Sequence, residues 1–303
     1  MGRTLLLGDS RSGWRDWLKF HLGSRDHLVL DPADATHGTP ARLTLQREGR
    51  TVAWRFYGSL DPMRAPHLLV AGAASLLQHA ADDAVVQVFP LGATPLALQT
   101  AHALADLIAP ARIVAQEGLA HRRGWPVGPE ALPHEAGFPD LVRHAQRKAQ
   151  WLKLLEDGEV HEVELASVAV QGVRLGTGTA IPRGELAAAG LKVLRGEQLG
   201  STLMVVAAAE PDEASIARAL DRFHCQRVVS VRTDAYDGLL CAFAREGGEP
   251  LGMGWIERVD FETGIVHARC TAVPPAPVRV LQIGALRIDA DGNEHGEVRP
   301  WQV

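Results

Sequence analysis

The residues with the most chemical potential stand at the start of the chain, in the run Gly8-Asp9-Ser10-Arg11-Ser12-Gly13-Trp14-Arg15. Gly8 and Gly13 have the separation of a loop whose backbone N–H groups turn inward on phosphate, placed after one apolar segment and before another. Working loops of this kind follow the second glycine with a lysine for the β- and γ-phosphates and a Ser or Thr hydroxyl for magnesium. Here Trp14 stands at the lysine's position and Arg15 at the hydroxyl's. An ordinary strand-to-helix turn would leave the same trace, so the frame by itself leaves both readings open.

A second group of candidates is cationic. Arg143 and Arg147 lie one turn apart in a helix-patterned stretch, Pro139 to Glu156, with Lys148 next to them. Ala145, Ala149 and Leu152 are expected to form that helix's apolar face, opposite the arginines. A phosphate-contacting face and a merely solvated one look alike at this level. Arg122 and Arg123, after His121, form a small basic cluster in a loop, suited to a phosphate contact or to a solvated turn. Trp14, at the loop's mouth, could plug a phosphate pocket or stack on a base, whereas Trp17 falls on the packed side of the first helix.

Other chemistry finds no anchor. The 13 histidines contain no His-x-x-x-His pair, and none is spaced with a cysteine as in a zinc site, so no metal site is expected. Cys225, Cys241 and Cys270 are far apart and odd in number, which reads as reduced thiols. No Gly-x-Ser-x-Gly elbow is present. Gly176-Thr177-Gly178 lacks the third glycine of a dinucleotide fingerprint and reads as a turn.

These residues need a scaffold, and the pattern supplies one. Leu5 to Leu7 reads as a buried strand, Trp14 to Leu22 as a helix, and His27 to Leu30 as a strand closed by Asp31-Pro32. Thr51 to Tyr57, Leu68 to Val70, Val85 to Val88 and Arg112 to Ala115 read as further strands, with a helix over Pro95 to Leu107. Strands alternating with helices predict a doubly wound, mostly parallel α/β sheet of the P-loop NTPase type. Gly124 to Phe138 is expected to be loop. Beyond Asp157-Gly158 the pattern changes. Short strands over Val160 to Leu165 and Val168 to Leu175 precede a strand–helix–strand unit over 202–231 and an almost continuous run of strands over 239–288. The expected organisation is a P-loop-like domain over 1–157 and a β-rich C-terminal domain over 158–303.

The order of segments resembles the polynucleotide 5′-hydroxyl kinase family, which includes P-loop kinases of the pre-mRNA cleavage factor and of nucleolar ribosomal RNA processing, with archaeal and bacterial relatives. The resemblance is carried by Gly8 to Gly13, then Leu30-Asp31-Pro32-Ala33-Asp34-Ala35-Thr36, then Tyr57-Gly58-Ser59-Leu60-Asp61-Pro62, then Val88-Phe89-Pro90-Leu91-Gly92, then 107–115. The tail segments 251–261 and 282–289 resemble the family's C-terminal β-rich part, so the likeness runs over nearly the whole chain. It implies that Gly8, Ser10, Ser12, Gly13, Trp14, Arg15 and Asp31 surround the cofactor site. It also implies that the helix over 139–156 is a lid whose Arg143 and Arg147 reach nucleotide or RNA phosphates; Lys148 beside them, and Arg122 and Arg123 in the loop before, complete the candidate nucleic-acid face by their local charge. The departures fall on the chemistry. Besides Trp14 and Arg15, Ala33 stands where the second motif's other acid belongs, and Phe89 where the fourth motif's Asp belongs. Phosphoryl transfer runs on positioning and electrostatic stabilisation, so these losses together should remove most of the rate.

Composition sets the remaining bounds. The chain has 303 residues, 46% hydrophobic and 22% charged, as in ordinary globular proteins. A net charge of -5 argues against coating nucleic acid through bulk charge and leaves room for a local basic groove. No apolar run approaches the length of a membrane span, and the first residues lack a signal peptide's core, so a cytoplasmic protein is expected. The expected function is that of a degenerate polynucleotide kinase-like protein, an RNA-processing accessory or nucleic-acid binder. The alternatives are an active kinase that takes ATP and Mg2+ through a rebuilt loop, with Arg11 or Arg15 as substitute cation, and a non-catalytic subunit for a protein partner.

Overall fold

The computed structural model describes residues 2–9, 13–92, 94–132, 140–271 and 278–299. Its contacts divide the chain into two units, Met1–Gln150 and Trp151–Val303. The division falls inside a helix, Asp140–Asp157, seven residues before the end of that helix, where the sequence pattern places its boundary.

The first unit runs β1 (Thr4–Leu7), α1 (Trp14–His21), β2 (His27–Leu30), β3 (Arg42–Arg47), β4 (Arg50–Phe56), α2 (Pro66–Leu77), β5 (Val85–Val88), α3 (Pro95–Ile108), β6 (Arg112–Gln116), α4 (Glu117–Ala120), β7 (Glu130–Leu132) and the start of α5 (Asp140–Asp157). The sheet order is β4-β3-β2-β5-β1-β6-β7. β2, β5, β1, β6 and β7 are parallel, and β3 and β4 add an antiparallel hairpin at one edge. Period-2 alternation shares β1 between two layers. Leu5 and Leu7 pack with Leu69 and Leu76 of α2 and Ala101 and Leu104 of α3. Leu6 packs with Trp17 and Leu18 of α1. Helices therefore cover both faces, which is why β1, β2 and β5 are buried along their whole length.

Three local expectations are corrected. Leu68 to Val70 is not a strand but the first half of α2, which has Pro66 in its first turn, where a missing N–H costs nothing. A short apolar run has no period of its own, and the apolar stretch around it runs on to helical length. The expected loop over 124–138 contains β7; residues 133–138 lie outside the described residues. On α5, Ala145 and Ala149 are exposed, while Arg143 and Arg147 are half-buried, so the expected packed and solvated faces are exchanged over this turn of the helix.

The second unit holds the rest of α5 and two sheets. β10 (Thr179–Ala180), β11 (Arg195–Leu199), β12 (Thr202–Ala207) and β13 (Arg227–Arg232) form one, in that order. Its cover, α6 (Arg183–Ala188) and α7 (Glu213–Arg222), packs Leu186 and Ala219 on Leu203 and Val205. The larger sheet is built from β8 (Glu159–Glu164), β14 (Leu239–Ala244), β15 (Pro250–Asp260), β16 (Ile265–Cys270), β17 (Val280–Ile288) and β18 (Glu294–Glu297), in the order β18-β17-β14-β15-β16-β8. β9 (Ala169–Gln171) pairs with β17. Phe243, Ile256, Val266 and Leu281 of this sheet share a core with Met204, Val206 and Val231 of the smaller one.

Candidate functional site

The carboxyl ends of the central strands are level. Leu7 pairs with Val88 and with Ala115, and Leu30 with Val88. Whatever follows β1, β2 and β5 must therefore gather at one edge of the sheet. The strand order reverses at that edge, where open α/β sheets place their ligands. Gly8 and Asp9 follow β1, Asp31 follows β2, and Phe89 follows β5. Asp9, Asp31 and Phe89 line a cleft of about 450 Å³, its open mouth included, together with Trp14 and Arg15 of α1, Ala33, Asp34, Ala35 and Thr36 after β2, and Arg143 and Gln146 of α5. All lie within the first unit.

The loop's described residues hold their places through the backbone. Gly8 is buried, and its carbonyl accepts a hydrogen bond from Leu91 N–H at 2.8 Å. Gly13 caps α1 without a side chain, and its carbonyl accepts from Trp17 N–H at 3.1 Å. Ser10 and Ser12, both expected at this site, lie outside the described residues, as does Arg11. Trp14 is wedged at the cleft wall, its ring centroid 4.9 Å from that of Phe89. On its other contact the Arg15 guanidinium sits 4.8 Å from the indole centroid, within cation–π range. The lysine's position is thus filled by an aromatic pair, one of whose members, Phe89, stands where the family places an acid.

Asp31 is the most enclosed charge at the site, 5% exposed. One oxygen accepts from Ala33 N–H at 2.9 Å, and the other faces Arg143 Nη2 at 3.3 Å. The Arg143 contact is longer than a good charge-assisted hydrogen bond, and desolvation wins over it. Burial pushes the Asp31 carboxyl up to about 7, Arg143 pulls it down, and Asp34 pushes it up again. Asp34 goes the other way. Burial raises it, but the side-chain hydrogen bond and charge of His37, with the N–H groups of Thr36 and His37, bring it below the usual carboxylate range. Arg15 is lowered from its ordinary value, first by burial and then by the like charge of Arg143.

Of the expected cofactor residues, Trp14, Arg15 and Asp31 thus meet at one cleft with Arg143. Arg147 adds its charge to the field at Asp31 and contacts His144 at 3.5 Å. Lys148 does not line the cleft, and Arg122 and Arg123 are exposed in the turn after α4. Asp9, Asp34, Thr36, Phe89 and Gln146 were not expected at the site as side chains lining it. Asp34 had a visible signal in the spacing Asp31-x-x-Asp34-x-x-His37 after a strand. Gln146 had one too, three residues beyond Arg143 on the same helix. The lining carries three carboxylates, Asp9, Asp31 and Asp34, against two guanidiniums, Arg15 and Arg143. Among the described residues no group of His, Cys, Asp or Glu is arranged to hold a metal ion. No described helix is long and apolar enough to cross a membrane.

No protein-family model and no curated protein matches the chain. Solved structures do. A Clp1p–Pcf11p complex aligns with a TM-score of 0.56 at 10% identity, over 94% of this chain and 74% of the other. A second, on the extended Pcf11p–Clp1p interface and the structural basis for ATP loss in a glycine-to-arginine point mutant, aligns with a TM-score of 0.53 at 10% identity, over 94% and 75%. At that identity the likeness concerns the fold: the chain is similar to Clp1p, a polynucleotide kinase-like P-loop protein.

Proposed function

We propose that this chain is a kinase-silent protein on a polynucleotide kinase-like fold, acting as an accessory in RNA processing. The observation that carries the reading is the Trp14–Phe89 wall beside the Asp31–Arg143 pair. An aromatic ring takes the lysine's position, and the acid retained from the second motif is engaged by an arginine of the lid helix. The described residues do not fit magnesium nucleotide. The position that would hold the metal's hydroxyl is Arg15, a cation that repels magnesium, and the position of the phosphate-pairing lysine is the Trp14 indole. RNA is held instead by the cations of α5 and the preceding turn, Arg147, Lys148, Arg122 and Arg123, because an acidic chain binds a polyanion only through a local patch that releases counterions.

The test has two arms. Titration with ATP, with and without magnesium, is expected to show no magnesium-dependent binding. Incubation with ATP, magnesium and a 5′-hydroxyl RNA is expected to give no label transfer. Robust transfer abolished by Arg15→Ala would establish the active-kinase alternative. For RNA, replacing Arg147 and Lys148 by Ala should lower the salt dependence by about one unit of slope per lost contact. Arg143 is left in place in this RNA arm, because it pairs with Asp31 in the cleft.

A second reading, a non-catalytic subunit for a protein partner, is favoured by the solved neighbours being complexes of Clp1p with Pcf11p. Salt slopes unchanged by the cation substitutions would put it first.

A further inference from the structure

The cleft holds a second arrangement that the loss of kinase chemistry does not use. Arg15 comes from the first turn of α1 and Arg143 from α5, and both line the same cleft at the strands' carboxyl edge. Their like charges are close enough that Arg143 depresses Arg15. Arg143 spends one of its five N–H groups on Asp31, at 3.3 Å. Arg15 is steadied by the Trp14 ring at 4.8 Å. Two guanidiniums fixed on separate elements and facing one space suit a tetrahedral anion that can bridge them. The enclosed part of the cleft has room for little more than one water, so a single phosphate group would seat at its open mouth, between the two guanidiniums.

We propose that Arg15 and Arg143 form a clamp for one phosphomonoester group, the 5′-phosphate end of an RNA strand. The choice of RNA rests on the accessory reading above; the clamp itself rests on the cleft. The clamp would recognise the state of the end that a kinase produces, without producing it. The charged and titratable groups facing the clamp are Asp9, Asp31 and Asp34 from the loops, Arg147 from α5, and His37 through Asp34. Asp34 is turned toward the Thr36 and His37 N–H groups and the His37 ring. Asp31 is the competitor, because it holds Arg143. An incoming phosphate takes over that arginine and leaves Asp31 to accept a proton from solvent. Phosphate binding is therefore coupled to proton uptake at Asp31, whose carboxyl burial already pushes up to about 7.

The experiment measures equilibrium binding of one short RNA bearing either a 5′-phosphate or a 5′-hydroxyl, with inorganic phosphate as competitor, at pH 6.5 and about pH 8. The wild-type protein is compared with Arg15→Gln, Arg143→Gln and Asp31→Asn. The 5′-phosphate end is expected to bind about tenfold or more tighter than the 5′-hydroxyl end, the preference growing at the lower pH. Arg15→Gln and Arg143→Gln should each abolish most of it. Asp31→Asn should strengthen it and reduce the pH dependence to the small part set by the phosphate's own second ionisation at about 6, a gain that a damaged fold would not give. Inorganic phosphate should compete only with the phosphorylated RNA. Equal affinity for both ends, or a preference that survives both arginine substitutions, overturns the clamp. Arginine-dependent capture of inorganic phosphate without preference between RNA ends overturns the assignment to RNA. Failure of the clamp is separable from failure of the accessory reading, since the 5′-hydroxyl RNA measures general RNA affinity and label transfer measures kinase activity.

Discussion

Asp31→Asn should make the protein more stable at neutral pH and flatten its stability between pH values of about 4 and 7. A carboxyl in an unfolded chain titrates near 3.9, so a folded value of about 7 is a rise of roughly 3 units, worth about 4 kcal/mol at about 1.36 kcal/mol per unit. The sign follows from the protons bound. Between these two values the unfolded chain has released the proton and the folded chain still holds it, so stability falls as pH rises through the window and levels off above it. Residual solvation at the cleft mouth brings the expected span to about 2–4 kcal/mol. Asn keeps an oxygen for the Ala33 N–H, now at 2.9 Å, and cannot ionise. Asp26 and Asp34 are both depressed, so their stabilising contributions are lost as pH falls; present in both proteins, they largely cancel in the difference. Urea denaturation of both proteins across this window gives that difference directly. It should be near zero in acid and should favour the variant above neutral pH. Parallel stability curves, or a variant less stable than wild type at neutral pH, would refute the claim that burial outweighs the Arg143 pair.

Further outcomes are expected elsewhere in the chain. Thr94 caps α3 by accepting from Ala97 N–H at 3.2 Å, so Thr94→Ala should cost about 1 kcal/mol in denaturant unfolding. Trp151 is fully buried and donates its indole N–H to Glu294 at 3.0 Å, so Trp151→Ala should cost about 3–5 kcal/mol, measured the same way. Cys225, Cys241 and Cys270 are buried, and burial pushes the Cys270 thiol up to about 12, with Cys241 also well above its ordinary value. A thiol reagent should therefore label none of them at appreciable rate in the native protein and all of them in denaturant, and rapid native labelling would contradict the packing of the second unit.

Much of the first unit was legible. β1, β2 and β5 are short apolar runs ended by turn residues, and α1 shows its apolar stripe through Trp17 and Leu18. The replacement of lysine by Trp14 is a fact of sequence that needs no structure. The β3–β4 hairpin was half-hidden. Arg42–Arg47 carries polar residues at alternate positions, and its turn places Glu48 as well as Gly49 in the left-handed region, where glycine is the usual signal and glutamate is not. Gly176-Thr177-Gly178 reads as an unsupported turn, yet buried Glu197 of β11 accepts from Gly176 N–H at 2.7 Å. That support comes from far along the chain and leaves no local trace.

The sequence alone determined which chemical groups the chain owns and which elements carry them, because turn residues and hydrophobic periodicity act over a few neighbouring positions. It therefore settled that a glycine frame precedes a helix and that Trp14 and Arg15 open it. What it could not determine is the company each group keeps. Arg143 lies 112 positions from Asp31. Its helix turns the arginines inward although small apolar residues were available for that face, and Arg143 thereby meets the buried carboxyl of Asp31 at the strand edge. Only the packing of α5 over the level strand ends made that contact. Only the desolvation it brings decided that Asp31, an ordinary acid in the sequence, carries a raised carboxyl in the folded protein.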